Sequence, residues 1–263
     1  MAKSILKKIN SLPIPLTIKH YYAFGDIGSI LKNGKLDSVD SWNTLRSSHD
    51  SFSISTNRAE WLKACEMEIK KDGQDNGLKQ RALDIVKVLN NSGIQLLFST
   101  GVGGAGLEYN IKKYKPELKL ICSEYSAVSV ETLQKVFIEA DSIELFDISS
   151  KEWPKYLSEN NSIAMIYRVD ASFTDKEWRN IFINMHNSGV KNILYIPTNF
   201  LTIFSLFIRI KRRIMWMLKG ESFAFAGYLR TKTTFQGYWK DLYTVKEDNF
   251  GGLRGFVLKR INT

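Results

Sequence analysis

The chain has 263 residues, of which 44% are hydrophobic and 24% are charged, with a formal net charge of +10. This composition excludes a disordered or fibrous protein, and the length suits one large domain or one domain with an appendage. The basic balance favours an anionic partner, and two cysteines are too few for a disulfide framework, so a reducing, cytoplasmic compartment is expected.

Neither a membrane-spanning segment nor a signal peptide is predicted. No apolar run approaches the roughly 18 residues that a transmembrane helix needs. The first ten residues contain lysines but lack the apolar centre and small-residue cleavage site of a secretory signal.

Residues 1–76 are predicted to form an N-terminal extension of loop and helix, ahead of a main domain over residues 77–263. Residues 1–56 are expected to be irregular. The serine-rich stretch over 37–55 is typical either of a lid that closes over a site or of a disordered segment.

Two helices are predicted next. The first runs from Asn57 to about Lys71, because Asn57 and Glu60 form an Asx variant of the capping box. The second covers 78–90, where apolar residues recur at helical spacing, and Asn91-Ser92-Gly93 ends it.

From residue 94 onwards, short apolar runs alternate with segments long enough for helices. The runs cover 94–98, 118–122, 142–146, 163–167 and 193–196. Such runs, separated by helices, indicate an α/β protein with a doubly wound, mostly parallel sheet that is buried on both faces. The tail differs, because 233–245 and 253–261 both resemble strands and no helix fits between them, so they are expected to pair antiparallel.

A glycine-rich turn follows the first run and precedes a predicted helix over 105–114. Gly101, Gly103 and Gly106 have the G-x-G-x-x-G spacing. Glycine lets the backbone approach a ligand, and the helix start supplies free N–H groups. Glu124 lies 18 residues after Gly106, at the end of the second strand, where a carboxylate can hold the hydroxyls of a ribose. The pattern predicts a nucleotide-type cofactor, either a nicotinamide dinucleotide or S-adenosylmethionine; the alternative is an ordinary turn beside a solvated glutamate.

This arrangement resembles the class I S-adenosylmethionine-dependent methyltransferases over roughly residues 80–263. The resemblance rests on the glycine turn, on Glu124, on Asp147 after the third strand and on the antiparallel finish. It implies a Rossmann-like doubly wound seven-stranded sheet, mostly parallel with an antiparallel C-terminal strand. It also implies S-adenosylmethionine as the cofactor.

The resemblance implies a set of cofactor-binding residues: Ser99, Thr100, Gly101, Gly103, Gly106, Glu124, Tyr125, Asp147 and Ile148. Glu124 would hold the ribose, and Asp147 with Ile148 would flank the adenine. The alternative for Asp147 is a turn or N-cap residue before a helix at 150–159. Ser99 departs from the family, which often has an acidic residue two positions before the first glycine. The departure implies weaker cofactor binding, an acid supplied from elsewhere, or a binding-only protein.

Asp170 is the first candidate for a catalytic base. It follows the fourth strand, and Thr174 with Glu177 gives the next helix a separate capping box, so Asp170 is expected to face a ligand. Methyl transfer to a hydroxyl needs a base for the acceptor proton. His49 in the serine-rich stretch is a second candidate base, and Arg168 is a candidate for binding an anionic acceptor or for pairing with Asp170. A surface carboxylate and an ordinary loop histidine are the alternatives.

Residues 200–219 combine a long apolar run with a basic cluster. Between residues 199 and 220 there are five basic residues and no acidic one. This pattern is typical of a helix that lies in the interface of an anionic membrane, and equally of a buried helix with one wet basic face. Nucleic acid also fits the charge, but no recognition motif accompanies it.

The sequence contains no cysteine–histidine spacing typical of zinc and no G-x-x-x-x-G-K-[ST] phosphate loop, so no metal site is expected. We therefore predict a methyltransferase that acts on a hydroxyl of a sugar or glycan, lipid-linked in one version, at the inner face of the cytoplasmic membrane. The two alternatives are an NAD(P)-dependent oxidoreductase and a non-catalytic adaptor of the same fold at a membrane.

Overall fold

The structure of the protein is a computed structural model that describes residues 12–23, 53–66, 77–220 and 223–261. Within these ranges lie nine strands: β1 (Thr17–Ala23), β2 (Leu96–Thr100), β3 (Lys119–Glu124), β4 (Ser142–Leu145), β5 (Ser162–Tyr167), β6 (Asn192–Ile196), β7 (Phe223–Arg230), β8 (Tyr243–Phe250) and β9 (Leu253–Arg260). The same ranges contain seven α-helices: α1 (Arg58–Glu66), α2 (Leu78–Asn91), α3 (Gly106–Tyr114), α4 (Ala127–Val136), α5 (Asp175–Asn187), α6 (Ile203–Leu218) and α7 (Lys232–Trp239).

In the described part of the chain, seven strands form one sheet in the order β4-β3-β2-β5-β6-β9-β8. Strands β2 to β6 are parallel to one another. Strand β9 runs antiparallel between β6 and β8, with Tyr195 opposite Phe256 and Val245 opposite Leu258. The predicted Rossmann-like sheet with an antiparallel C-terminal strand is therefore confirmed.

Two apolar cores cover the two faces of this sheet, and successive residues of β2 alternate between them. Leu97 belongs to the core that includes residues of α1 to α4. Phe98 belongs to the other core, which includes residues of α5 and α7. Burial on both faces explains why the parallel strands read as continuous apolar runs in the sequence.

The two helices predicted before the sheet are present. Asn57 Oδ1 accepts hydrogen bonds from the amides of Ala59 and Glu60, at 2.9 and 3.3 Å, so Asn57 caps α1. The predicted end of that helix near Lys71 lies outside the described residues. Helix α2 ends before Gly93, whose φ of +65° stops the helix as expected.

The prediction of a strand over 233–245 is wrong for the first half of that segment. Residues up to Trp239 form α7, because Thr231 Oγ1 accepts from the Thr234 amide as an N-cap and Phe235 packs in the second core. Threonines and aromatic residues favour strands by propensity, but here a cap and tertiary burial decide for a helix. The segment expected to be a connection, 246–252, continues β8 and turns only at Gly251 and Gly252.

A second, two-stranded sheet lies outside the main one, contrary to the expectation that residues 1–56 are irregular. Strand β1 pairs antiparallel with β7, from Thr17 opposite Arg230 to Ala23 opposite Phe223. Thr17 Oγ1 also donates to Asp175 Oδ2 at 2.8 Å. The partner strand is more than 200 residues away in the sequence, so no local pattern indicated it.

Gly227 lets this β1–β7 ribbon approach the turn after β5. Its φ is +113°, and a Cβ at this position would lie 2.4 Å from the carbonyl oxygen of Ala171. The ribbon is therefore in backbone contact with the turn that carries Asp170.

We expect Gly227→Ala to lower the free energy of unfolding by about 2 to 4 kcal/mol, from backbone strain and overpacking together. Gly237→Ala is the matched control, since no atom lies within 4 Å of its added Cβ in helix α7; it should be neutral or gain up to about 1 kcal/mol. Urea denaturation of both variants measures the effect. Equal stability of the two variants would show that the ribbon does not pack against the Asp170 turn.

Candidate functional site

The carboxyl ends of four parallel strands bring most of the predicted site residues to one edge of the sheet. Thr100 at the end of β2 lies opposite Ser123 of β3 and Ile166 of β5. The residues that reach this edge are Ser99, Thr100, Gly101, Gly103, Gly106, Glu124, Tyr125, Asp147, Ile148, Arg168 and Asp170. Ligands of doubly wound sheets bind at this edge.

The glycine turn is held by both strands that flank β2. The amides of Gly101 and Val102 donate to the carbonyl oxygen of Ser123, at 2.8 and 3.3 Å. On the other side, a Cβ on Gly101 would lie 2.7 Å from Val169 Cγ2, and the φ of Gly101 is +66°. Glycine is therefore required here for the close approach that the sequence predicted.

Backbone strain is concentrated at this edge. Among the described residues, Ala105 and Arg168 are the two non-glycine residues with positive φ, at +57° and +58°. Ala105 lies in the glycine turn and Arg168 follows β5, next to Val169. Such strain costs about 1 to 3 kcal/mol per residue and clusters at functional sites.

Helix α1 fixes the turn from outside the sheet. Trp61 Nε1 donates to the carbonyl oxygen of Gly104 at 2.9 Å. Asn110 Nδ2 of α3 donates to the carbonyl oxygens of Cys65 and Gly106, at 3.0 and 2.7 Å. A helix from the N-terminal extension thus helps to shape the glycine turn.

Glu124 lies at the predicted place, at the end of β3. Its side chain is 7% exposed, and Oε2 accepts from the Tyr125 amide at 3.0 Å. Its charge acts on Glu108, so its carboxylate lies within electrostatic range of the α3 side of the turn.

Glu108 is a site residue that the sequence analysis missed. It is 1% exposed, and Ser99 Oγ donates to its Oε1 at 2.7 Å. Burial raises the pKa of Glu108 to about 7; the bond from Ser99 offsets part of this effect and the Glu124 charge adds to it. An acid therefore does lie beside Ser99. The sequence signal that indicates Glu108 is its position between Leu107 and Ile111 on the buried face of α3.

Thr100 shows an unfilled hydrogen-bonding capacity. Its Oγ1 is buried and has no hydrogen-bond partner in the described structure. A buried hydroxyl without a partner is uncommon in native proteins, and this one follows Ser99 at the root of the turn. Ser129, Tyr156 and Tyr195 carry similar hydroxyls in the described structure, and Thr100 is the one next to the glycine turn.

Asp147 forms a turn, which the sequence analysis gave as the alternative to a role beside the adenine. Its Oδ1 accepts from the amide and the hydroxyl of Ser149, at 2.8 and 2.7 Å. The prediction of a helix at 150–159 is wrong, because this segment contains only a short 3-10 helix, Lys155–Ser158. Asp147 is exposed, whereas the Ile148 side chain is buried in the second core.

Asp170 is not free to face a ligand in this structure. Its side chain is 1% exposed, and its Oδ1 accepts from the Thr198 amide at 2.6 Å. Burial raises its pKa, although the bonds from Thr198 and the charge of Arg230 offset part of the shift. The predicted Thr174–Glu177 capping box is present, so Asp170 does not cap α5. Its role as the base stays a prediction.

Arg230 is a second residue that the sequence did not reveal. It is fully buried, donates through Nη1 to the Asp170 carbonyl at 2.8 Å, and pairs through Nε with Asp175 Oδ1 at 2.7 Å. It also donates to the carbonyl of Phe173. One cation of β7 thus holds the whole segment between β5 and α5. Arg168, in contrast, is exposed, with its guanidinium 5.9 Å from the centre of the Tyr167 ring.

His49 lies outside the described residues. Cys65 and Cys122 are both buried thiols without a disulfide. Within the described ranges, no three histidine, cysteine or carboxylate side chains cluster as a metal site would require. None of the described helices is long and apolar enough to cross a membrane.

The fold is that of solved methyltransferases, at low sequence identity. Human N-acetylserotonin methyltransferase, in complex with SAM, gives a TM-score of 0.53 at 13% identity, over 91% of this chain and 66% of that one. The pyocyanin biosynthetic protein PhzM gives 0.51 at 15% identity, over 69% of this chain and 55% of that one. Magnesium protoporphyrin IX methyltransferase from Synechocystis PCC 6803, with bound SAH, gives 0.54 at 12% identity, over 86% of this chain and all (100%) of that one.

No protein-family model and no curated protein matches the sequence. This chain spans 66% and 55% of the lengths of the first two of these proteins, less than two thirds of each. The likeness establishes the class I S-adenosylmethionine-dependent methyltransferase fold for this chain.

The protonation of Glu108 predicts a pH dependence of stability. Its pKa is higher in the folded protein (about 7) than in the unfolded chain (about 4.5), so the folded state binds more protons between these values. The contribution of Glu108 to stability is therefore complete below pH 4.5 and is lost as the pH rises towards 7, by about 3 kcal/mol.

Glu108→Gln keeps an acceptor for Ser99 but cannot ionise, so it should lack this pH-dependent contribution. The free energy of unfolding of the variant relative to the parent should therefore rise between about pH 5 and 8. Urea denaturation of the ligand-free proteins across about pH 5 to 8 measures it. Glu152→Gln, at an exposed position, is the control and should follow the parent curve. Parallel curves for Glu108→Gln and the parent would show that Glu108 is ionised normally.

Proposed function

We propose that this chain is an S-adenosylmethionine-dependent methyltransferase that methylates a hydroxyl of a sugar or glycan. The acceptor is lipid-linked and is presented at the inner face of the cytoplasmic membrane. The observation that carries the proposal is the strained glycine turn between β2 and α3, with two buried carboxyl groups, Glu108 and Glu124, beside it.

The charges at the turn favour a cationic cofactor. S-adenosylmethionine carries a sulfonium and an ammonium group, and a nicotinamide dinucleotide carries an anionic pyrophosphate. Two buried carboxyls at the root of the turn stabilise positive charge and oppose negative charge in a region of low dielectric constant. Glu108, bonded to Ser99, supplies the acidic group that Ser99 itself lacks. This contrast argues for S-adenosylmethionine and against the dinucleotide.

The other predicted residues suit the same ligand. Amides of the glycine turn and of the first turn of α3 would hold the amino-acid part, and Thr100 Oγ1 offers a further hydrogen bond. Glu124 would accept from the ribose hydroxyls, while Tyr125, Asp147 and Ile148 would line the adenine end.

The reaction needs a base for the acceptor. When bound, the cofactor supplies an electrophilic methyl group on a sulfonium. Asp170 would take the proton of the acceptor hydroxyl as the new oxygen–carbon bond forms and the sulfur–carbon bond breaks. Its raised pKa makes it a stronger base than an exposed aspartate. Because the carboxylate is 1% exposed, contact with the acceptor requires the Asp170–Ser172 turn to shift.

The acceptor class is supported by the surroundings of this edge. Arg168 is exposed next to the site and suits an anionic group on the acceptor. Helix α6, which is basic and apolar, begins seven residues after the end of β6. A phosphate-bearing saccharide carried by a lipid fits both features. His49 in the serine-rich stretch remains a proposed second base.

Calorimetry tests the cofactor. The protein should bind S-adenosylhomocysteine and should not bind NAD. Glu124→Ala should weaken binding by about 10- to 100-fold, the effect of losing hydrogen bonds to a charged group. Glu131→Ala, at an exposed carboxylate of α4, is the matched control and should bind as the parent does. Binding of NAD alone would identify an oxidoreductase, and unchanged affinity of Glu124→Ala would exclude the ribose contact.

Asp170→Asn tests the base. The amide oxygen still accepts from Thr198, so the fold and the affinity for S-adenosylhomocysteine should be kept, while kcat falls by about 100-fold or more. Transfer of labelled methyl from S-adenosylmethionine to sugar acceptors measures it, with exposed Asp241→Asn as the control. Turnover within a factor of about two of the parent would show that Asp170 only joins β5 to β6.

A further inference from the structure

Helix α6 exposes most of its large apolar side chains in the described structure. None of its 16 residues is buried. Of the thirteen large hydrophobic residues that are exposed in the described structure, seven lie on this one helix: Phe204 (65%), Phe207 (68%), Ile210 (50%), Ile214 (47%), Met215 (46%), Met217 (55%) and Leu218 (82%). Globular proteins rarely leave so large an apolar face in water.

The polar side of α6 faces the β1–β7 ribbon and fixes this orientation. Arg209 Nη1 lies 3.0 Å from His20 Nε2, and the Arg213 guanidinium is 5.4 Å from the centre of the Tyr21 ring. Burial, with the charges of Arg209 and Arg212, lowers the pKa of His20 to about 4, so the neutral ring accepts from Arg209. Two cations of the helix thus contact the ribbon; Ile203, Leu206, Ile208 and Trp216 are half-buried, and the other seven large apolar side chains are exposed.

The charge of the helix indicates which kind of partner covers the exposed apolar side chains. The segment from 203 to 219 has five basic residues and no acidic one. A second copy paired along α6 would bring two identical sets of cations together, which costs free energy. An anionic bilayer offers acyl chains for the apolar side chains and phosphates for the cations. Exposed Lys211, Arg212 and Lys219 lie within or beside the apolar face, where their long side chains reach the headgroup level.

We propose that α6 is an in-plane membrane anchor that docks the protein on an anionic lipid surface. Its apolar side chains insert below the headgroups, and Lys211, Arg212 and Lys219 bind lipid phosphates. The segment that leads into α6 is bonded to residues around the candidate site. Leu201, just before α6, donates to the Arg230 carbonyl at 2.7 Å, and Thr198 donates to Asp170. The bilayer would therefore lie next to the segment that joins β6 to α6, close to the Asp170 turn.

Vesicle flotation of the full chain tests the apolar half of the proposal. The protein should float with phosphatidylcholine vesicles that contain about 30% phosphatidylglycerol. Phe207→Ser with Leu218→Ser should reduce the bound fraction by about tenfold or more, from lost insertion of two large side chains. Ile138→Ser with Leu145→Ser is the matched control, since these residues are 67% and 63% exposed elsewhere, and it should float as the parent does.

Charge reversal tests the electrostatic half. Lys211→Glu with Arg212→Glu should lower binding to the same vesicles by about tenfold or more, at about 1 kcal/mol for each basic residue. Pure phosphatidylcholine vesicles and about 1 M salt should weaken binding of the parent. The matched control is Lys151→Glu with Lys155→Glu, at two exposed positions away from α6. This variant carries the same charge change and should bind the vesicles as the parent does.

Three results would overturn the docking proposal. The first is a parent protein that does not float with the anionic vesicles. The second is a dimer in analytical ultracentrifugation that the Phe207 and Leu218 substitutions dissociate, because a second copy would then cover the face. The third is a large loss of thermal stability in that same variant, because a segment of this chain would then cover it.

The docking proposal is separable from the proposed function. Flotation without binding of S-adenosylhomocysteine would reject the methyltransferase and leave the membrane anchor. Binding of S-adenosylhomocysteine without flotation would reject the anchor and leave the enzyme.

Discussion

The turn after β2 is held from both sides by the neighbouring strands of the sheet. The amides of Gly101 and Val102 are bonded to Ser123 at the end of β3, and Val169 after β5 occupies the space that a side chain on Gly101 would take. Parallel pairing brings these three strand ends to one edge, and the close contacts fix the relative positions of the turns. Every other feature of the candidate site, including Glu124, depends on this packing.

The same packing places ionisable groups where water cannot solvate them. Glu108 is buried between α3 and the sheet, and burial of its charged form raises its pKa. Backbone strain at Ala105 and Arg168 is a further unfavourable contribution to stability at this edge. A positive charge bound near Glu108 and Glu124, as in the proposed cofactor, would relieve this electrostatic cost.

Segments far apart in the sequence complete this edge. Helix α1 reaches the glycine turn through Trp61, and β7 reaches the Asp170 turn through Arg230. The β1–β7 ribbon also contacts α6, through Tyr21 and Arg213. The N-terminal extension and the basic segment are thus structural neighbours of the proposed chemistry.

The sequence by itself determined what short-range chemistry controls. Apolar runs predicted the parallel strands, the glycine spacing predicted the turn, and side-chain caps predicted the starts of α1 and α5. Tertiary structure alone decided the rest. Only the folded chain shows that 233–239 is a helix, that 17–23 is a strand, that Glu108 reaches Ser99 and that Arg230 holds the segment before α5. For 17–23 and Arg230 the deciding partner is remote in sequence; for 233–239 and Glu108 the deciding force is burial, which local propensity does not register.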